Sequence, residues 1–242
     1  MFEGSVAGLY RWPVKSLRGE RIDAARLDER GLAGDRAHAL IDLRPKRAGQ
    51  VLTVRQLPRL LGWSSAFGPD VLDPAGPPKL RSPEGTEWSW TDPATAGALS
   101  DYLDIPLELR AAEGMQDRGP TILVTVEASL AALADELSAP VDLARFRPNV
   151  HLSLDAPPFA EQDWGPGTTI TIGDLWLEVV GDRAGPCIRC AVPSWEPAGR
   201  ERWPKLQRWL IEQHDNKFGV IMRATRAGTV RPGDAGYARP NE

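Results

Sequence analysis

Cysteine and histidine are scarce in this sequence: two cysteines, Cys187 and Cys190, and three histidines, His38, His151 and His214, in 242 residues. Two thiols cannot build a disulfide scaffold, and no basic run followed by an apolar stretch opens the chain at Met1-Phe2-Glu3-Gly4-Ser5. Both absences predict a cytoplasmic protein. No window approaches the roughly 18 consecutive apolar residues that a membrane span needs, so no membrane partner is expected. An excess of positive charge is missing too. Lys and Arg total 29 against 33 Asp and Glu, for a net charge of -4. That balance argues against nucleic acid as the main partner, and any basic site must come from a few converging arginines. No internal repeat or low-complexity tract is present.

Hydrophobic residues make up 42% and charged residues 26%, an ordinary globular composition long enough for one large or two modest domains. The 23 Gly and 22 Pro point to many turns. Residues 5–10 and 37–42 are short, apolar and bounded by Gly or charge, as strands are. Residues 68–86, with Gly68-Pro69, Gly76-Pro77-Pro78 and Pro83-Glu84-Gly85, read as a run of turns. Asp92-Pro93 opens a helix through Leu103, because Asp caps free amides and Pro suits the first helical position. The stretch Ala111 to Gly119 is the candidate linker between two halves.

Beyond it, Ile122-Leu123-Val124 reads as a buried strand, with Thr125 capping a helix that sets Leu130, Leu133 and Leu137 on one face. Val150, Leu152 and Leu154 alternate with His151 and Ser153, the pattern of a half-buried strand. Residues 169–172 and 175–179 flank Gly173-Asp174, as in a type II′ hairpin. A last helix over residues 201–214 turns Trp203, Leu206, Trp209 and Leu210 inward. Strands predominate. The expected class is mainly β with peripheral helices (α+β), β-barrel-like. His38 and His151 lie on strand patterns without acidic partners and read as structural.

The segment Gly185-Pro186-Cys187-Ile188-Arg189-Cys190 carries the most chemistry. A zinc site needs about four ligands, and the histidines offer no ligand-spaced pair. A thioredoxin-like pair sits at a helix N-terminus, which Pro193 does not suit. Two readings stay open on spacing alone. Either both thiols are small buried hydrophobes, or one thiolate holds a soft transition metal, with Arg189 favouring the deprotonated sulfur.

The surrounding motifs, taken in order, resemble those of MOSC proteins. Tyr10-Arg11-Trp12-Pro13-Val14-Lys15-Ser16 is similar to the motif that opens the family's N-terminal β-barrel domain. Gly34-Asp35-Arg36 and Thr53-Val54-Arg55-Gln56-Leu57-Pro58-Arg59-Leu60 follow at that domain's distances. Ile122 to Leu133, Phe146-Arg147-Pro148-Asn149, Arg189-Cys190, Phe218-Gly219 and Gly228 to Asp234 resemble successive parts of the MOSC domain. The resemblance implies an N-terminal β-barrel domain over 1–112 and a MOSC domain over 113–242.

It also implies a molybdenum cofactor (molybdopterin with Mo) ligated by Cys190 and contacted by Lys15, Ser16, Arg36, Arg147, Asn149 and Arg189. Arg55 and Thr125 belong to matching segments. Asp117 falls where the amidoxime-reducing branch has an aspartate beside the metal pocket. Guanidinium forks bind phosphate oxygens bidentately, in keeping with a phosphorylated pterin. The activity implied is reduction of a small N-oxygenated substrate, an amidoxime or hydroxylamine, by oxo transfer. A cofactor carrier or a persulfide sulfur-transfer protein acting through Cys190 is the alternative. Val192-Pro193-Ser194 departs from the Thr-Thr run of the amidoxime reducers, so a different substrate rim is expected. With no further cysteines for an iron–sulfur cluster, electrons are expected from a separate electron-transfer protein.

Overall fold

The computed structural model describes residues 1–112, 119–181, 184–188 and 191–241. Asp117, Arg189 and Cys190 lie outside the described residues, as does most of the expected linker.

Among the described residues, seven strands close into a barrel. Ile122–Val126 lies parallel to Val150–Leu154, which pairs antiparallel with Phe2–Arg11. The order continues through Ala235–Arg239, Thr169–Ile172, Leu175–Glu178 and Lys217–Arg226, which returns to Ile122–Val126. Closure leaves these strands no open edge. Two shorter strands extend the sheet: Glu20–Ile22 on Phe2–Arg11, and Gly185–Ile188 on Lys217–Arg226. The expected segments 1–112 and 113–242 share this barrel, since Phe2–Arg11 lies between two strands of the later segment.

Alternation along each strand sends Val6, Val124, Val150, Leu152, Ile170, Ile172, Leu177, Val220 and Met222 into one apolar interior. The parallel pair needs a crossover, and helix α2 (Glu127–Leu137) supplies it. Its buried side packs Leu133 and Leu137 with Leu206 and Leu210 of helix α3 (Pro204–Gln213), where Phe146 and Phe218 stack 3.8 Å apart. A separate core under the N-terminal segment gathers Val14, Leu17, Leu40, Leu60, Trp63, Leu99 and Leu103.

Several expectations hold. Helix α1 spans Pro93–Leu103, with the Asp92 carboxylate accepting from Ala94 N. The hairpin at Gly173 forms, with φ +55 at that glycine. Three expectations need correcting. Thr125 caps nothing: Thr125 and Val126 continue the strand, paired with His151 and Leu152, and helix α2 starts without a side-chain cap. His151 is buried rather than exposed on a half-buried strand, because neighbours flank that strand on both sides and α2 packs on it. Within the supposed run of turns, Lys79–Arg81 is the central strand of a small sheet with Ser64–Ala66 and Glu87–Ser89.

Candidate functional site

The site begins where Phe2–Arg11 leaves the barrel. At Trp12 the backbone N–H donates to Asp35 Oδ1 (2.8 Å), and Arg36 N donates to Trp12 O (2.8 Å). These bonds dock the Gly34-Asp35-Arg36 turn against the Trp12-to-Ser16 segment. Lys15 N then donates to His38 O, and Ser16 Oγ accepts from Val54 N (3.3 Å), which brings in the loop carrying Arg55. Phe146-Arg147-Pro148-Asn149 is tied in by Trp12 Nε1, donating to Pro148 O at 2.7 Å.

The result is a cleft of about 410 Å³ on the outer face of the barrel. Four cations line it, Lys15, Arg36, Arg55 and Arg147, together with the Ser16 hydroxyl, Thr53 and Gln56. The remaining wall is apolar, from Val54, Leu123, Phe146, Ile188 and Val192. Among the described lining residues there is no carboxylate. Such a donor set suits a phosphorylated ligand, because guanidinium groups bind phosphate oxygens with charge-assisted hydrogen bonds.

Three of the lining residues, Ser16 (φ +74), Arg36 (φ +50) and Arg147 (φ +57), sit in the left-handed region without being glycine. Each costs roughly 1–2 kcal/mol relative to ordinary backbone. Such conformations persist where surrounding contacts over-determine them, and they gather at functional sites. The contacts are present here. Arg36 is paired with Asp35 and donates to Arg147 O and Asn149 Oδ1. Arg147 donates to Leu17 O (2.8 Å) and lies 4.3 Å over the Trp12 ring.

Of the residues singled out from sequence, Lys15, Ser16, Arg36, Arg55 and Arg147 therefore meet in one cleft. Asn149 stands behind it, fully buried, accepting from Leu123 N and Arg36 and donating to Tyr10 O. It braces the cations rather than lining the cleft. Thr125 is not brought in: its hydroxyl bonds His151 Nδ1 at 2.9 Å, between two barrel strands. Burial holds His151 and His38 below the ordinary imidazole pKa, so both are neutral structural groups at neutral pH. Trp12 and Asp35, whose roles sequence reasoning missed, support Arg147 and Arg36. Their signal was position alone, each lying inside a quoted motif.

Cys187 is buried against Leu123 and Ile221 and borders the cleft, which suits the small-hydrophobe reading for that thiol. Among the described residues no group of three or more His, Cys, Asp or Glu is arranged to hold a metal. Beyond Val192, a hollow of about 590 Å³ continues the cleft past Ile188, Ala191, Trp195 and Arg202. The departure noted at Val192-Pro193-Ser194 thus falls on its rim, as a short 3-10 turn. Among the described residues no helix is long and apolar enough to cross a membrane.

The model of the MOSC N-terminal beta barrel domain matches residues 3–75. Human mitochondrial amidoxime-reducing component 1 is 28% identical over 97% of this chain and 82% of its own length. The Mus musculus protein of that name is 27% identical over the same shares. Among solved structures, the YUAD protein from Bacillus subtilis covers all of both chains at 15% identity, with a TM-score of 0.49. The MOSC domain model matches residues 115–236, half of the chain, and the chain belongs to the MOSC-domain family.

Proposed function

We propose that this chain is a molybdenum-cofactor-dependent oxidoreductase that reduces small N-hydroxylated compounds, amidoximes or hydroxylamines. The observation that carries the reading is the cleft in which Lys15, Ser16, Arg36, Arg55 and Arg147 converge without a carboxylate among the described lining residues. The relatives named for amidoxime reduction, matched over 97% of this chain, support it further.

In this reading Arg36 and Arg147 grip the phosphate of the pterin, Lys15 adds a point charge, and the Ser16 hydroxyl donates to the same anion. Arg55 closes the outer side, and Asn149 acts through Arg36. Cys190 is the metal ligand, with Arg189 keeping its sulfur ionised. In sequence it lies between Ile188 and Ala191, both of which line the cleft or its continuation. When bound, the molybdenum centre supplies two-electron oxo-transfer chemistry, while the protein supplies ligation, orientation and electrostatics.

Overall the N–O bond of the substrate breaks, two electrons and two protons are taken up, and water and the reduced nitrogen compound leave. Asp117 is the proposed proton-handling group. The electrons come from a separate electron-transfer protein. Val192 and Trp195, apolar at the rim, face the organic part of the substrate.

The test is turnover of benzamidoxime with an artificial electron donor, using protein made in a cofactor-competent host. Benzamidine should appear with wild-type protein and be lost in Cys190→Ala, while Cys187→Ala retains most activity. Full activity in Cys190→Ala overturns the mechanism. Stoichiometric molybdenum without turnover on any N-oxygenated compound would make the chain a cofactor carrier instead. Absence of metal with a labile sulfur on Cys190 would make it a sulfur-transfer protein.

A further inference from the structure

Several arginines of the chain are answered by carboxylates close at hand: Arg11 by Glu20, Arg30 by Asp28, Arg44 and Arg47 by Asp42. Three that make no ion pair among the described residues share one cavity outside the cleft. Arg18, Arg59 and Arg200 surround a hollow of about 200 Å³, walled on one side by Tyr102.

Each is set there by a different segment. Arg18 follows the Lys15-Ser16-Leu17 turn, its backbone N–H bonded to Trp63 O. Its Nη2 donates to Gly62 O (3.0 Å), and its buried Nε has no acceptor among the described residues. Arg59 projects from the 3-10 helix Pro58–Gly62 and lies 4.6 Å over the Tyr102 ring. Arg200 follows Gly199, which sits at φ +74 pressed onto that same 3-10 helix. A Cβ on Gly199 would fall 2.6 Å from Pro58 O and 2.9 Å from Leu61 Cβ. Glycine alone allows so close an approach, and it fixes Arg200 beside Arg59.

Gathering like charges around a half-buried hollow costs free energy unless an anion comes between them. Arg18 registers that cost, since burial and the Arg200 charge both lower its pKa. Glu196 offsets part of it from the same turn, but its Oε1 is engaged in accepting from Arg200 N (3.0 Å).

We propose that this cavity binds a tetrahedral oxyanion of the phosphate or sulfate kind. Three guanidinium groups from three directions match an anion with oxygens on every side, whereas a planar carboxylate is met by one fork. The volume is below that of a typical pocket for a drug-sized ligand, so it takes the anionic group alone. Next to it, sharing Arg18, is a pocket of about 190 Å³ in which Trp12, Leu61 and Trp195 form apolar wall beside Glu20, Arg145 and Arg147. That neighbour can house the organic body of a phosphate monoester. The anion is therefore either free phosphate or the end group of an aromatic or alkyl phosphate.

Calorimetric titration of the cofactor-loaded chain, its cleft filled, decides the matter at low ionic strength, with inorganic phosphate and phenyl phosphate as probes. Arg59 and Arg200 are exposed, so Arg59→Gln/Arg200→Gln leaves the core intact, and circular dichroism checks the fold. The double variant should bind inorganic phosphate about tenfold or more weakly, since two charge-assisted contacts are lost. Arg226→Gln, at an exposed arginine paired with Asp174 and outside both cavities, should bind it as wild type does. Tighter binding of phenyl phosphate than of phosphate supports the site with an organic ligand; equal binding supports it with the free anion. Wild-type affinity in the double variant, no phosphate binding at all, or an equal loss in Arg226→Gln overturns the proposal.

Discussion

Inside the barrel Val124, Val150, Leu152, Ile170, Leu177 and Val220 are buried together without a polar side-chain atom, on strands paired on both sides. The cleft on the outer face is walled by Lys15, Arg36, Arg55 and Arg147, all from turns and loops, two of them in left-handed backbone. The barrel gains stability from apolar burial, while the cleft costs it through strain and gathered charge. Asn149 and Trp12 join the two, fastening cleft cations to the first residues beyond the strands. The contrast teaches that the candidate site is carried by a closed sheet and made by what hangs from it.

If the division is real, a defect in the barrel and a defect in the junction should differ in kind. Leu152→Ala, at a fully buried position, should cost about 2–5 kcal/mol in denaturant unfolding. Molybdenum bound per folded molecule should stay unchanged. Asn149→Ala should cost less, about 1–3 kcal/mol, for leaving the Leu123 N–H and an Arg36 donor without their acceptor. It should nonetheless lower the metal content of the folded fraction, because Arg36 loses its brace. Equal metal content in both variants would erase the distinction.

A smaller effect sharpens it through pH. His151 is held below the ordinary value of 6.5 by burial, with Glu127 opposing, so the unfolded chain binds the proton more readily. Stability is therefore complete above that value and falls as pH drops below it. Unfolding at pH 7.5 and 5.5 should show the loss, and His151→Asn should reduce it; His38, depressed in the same direction, accounts for part of the remainder. An unchanged slope in His151→Asn would remove the barrel from the account of acid sensitivity.

Elements with local signals were legible in the sequence. Asp92-Pro93 marks α1, and Gly173-Asp174 marks a hairpin, because cap and turn chemistry act within a few residues. Lys79–Arg81 was hidden by the Gly and Pro on either side, its strand character coming from two partners rather than from its own three residues. Thr125 misled for a similar reason: a residue suited to capping continues the strand when a parallel neighbour offers pairing. The cations of the cleft were legible through ordered motifs. Their supports were not, since Trp12 reaches Pro148 and Arg36 reaches Asn149 across 136 and 113 positions of chain. The three-arginine cavity left no joint signal: Arg59 lies inside a quoted motif, but Arg18 and Arg200 do not, and packing draws residues 18, 59 and 200 together.

The central claim is that a thiolate at Cys190 and the cations of the cleft together hold molybdenum. Elemental analysis of protein from a cofactor-competent host tests it most directly, comparing wild type with Cys190→Ser and Cys187→Ser. The account predicts about one molybdenum per wild-type chain, near that value in Cys187→Ser, and essentially none in Cys190→Ser. Molybdenum retained in full by Cys190→Ser, or missing from the wild-type protein, would contradict it.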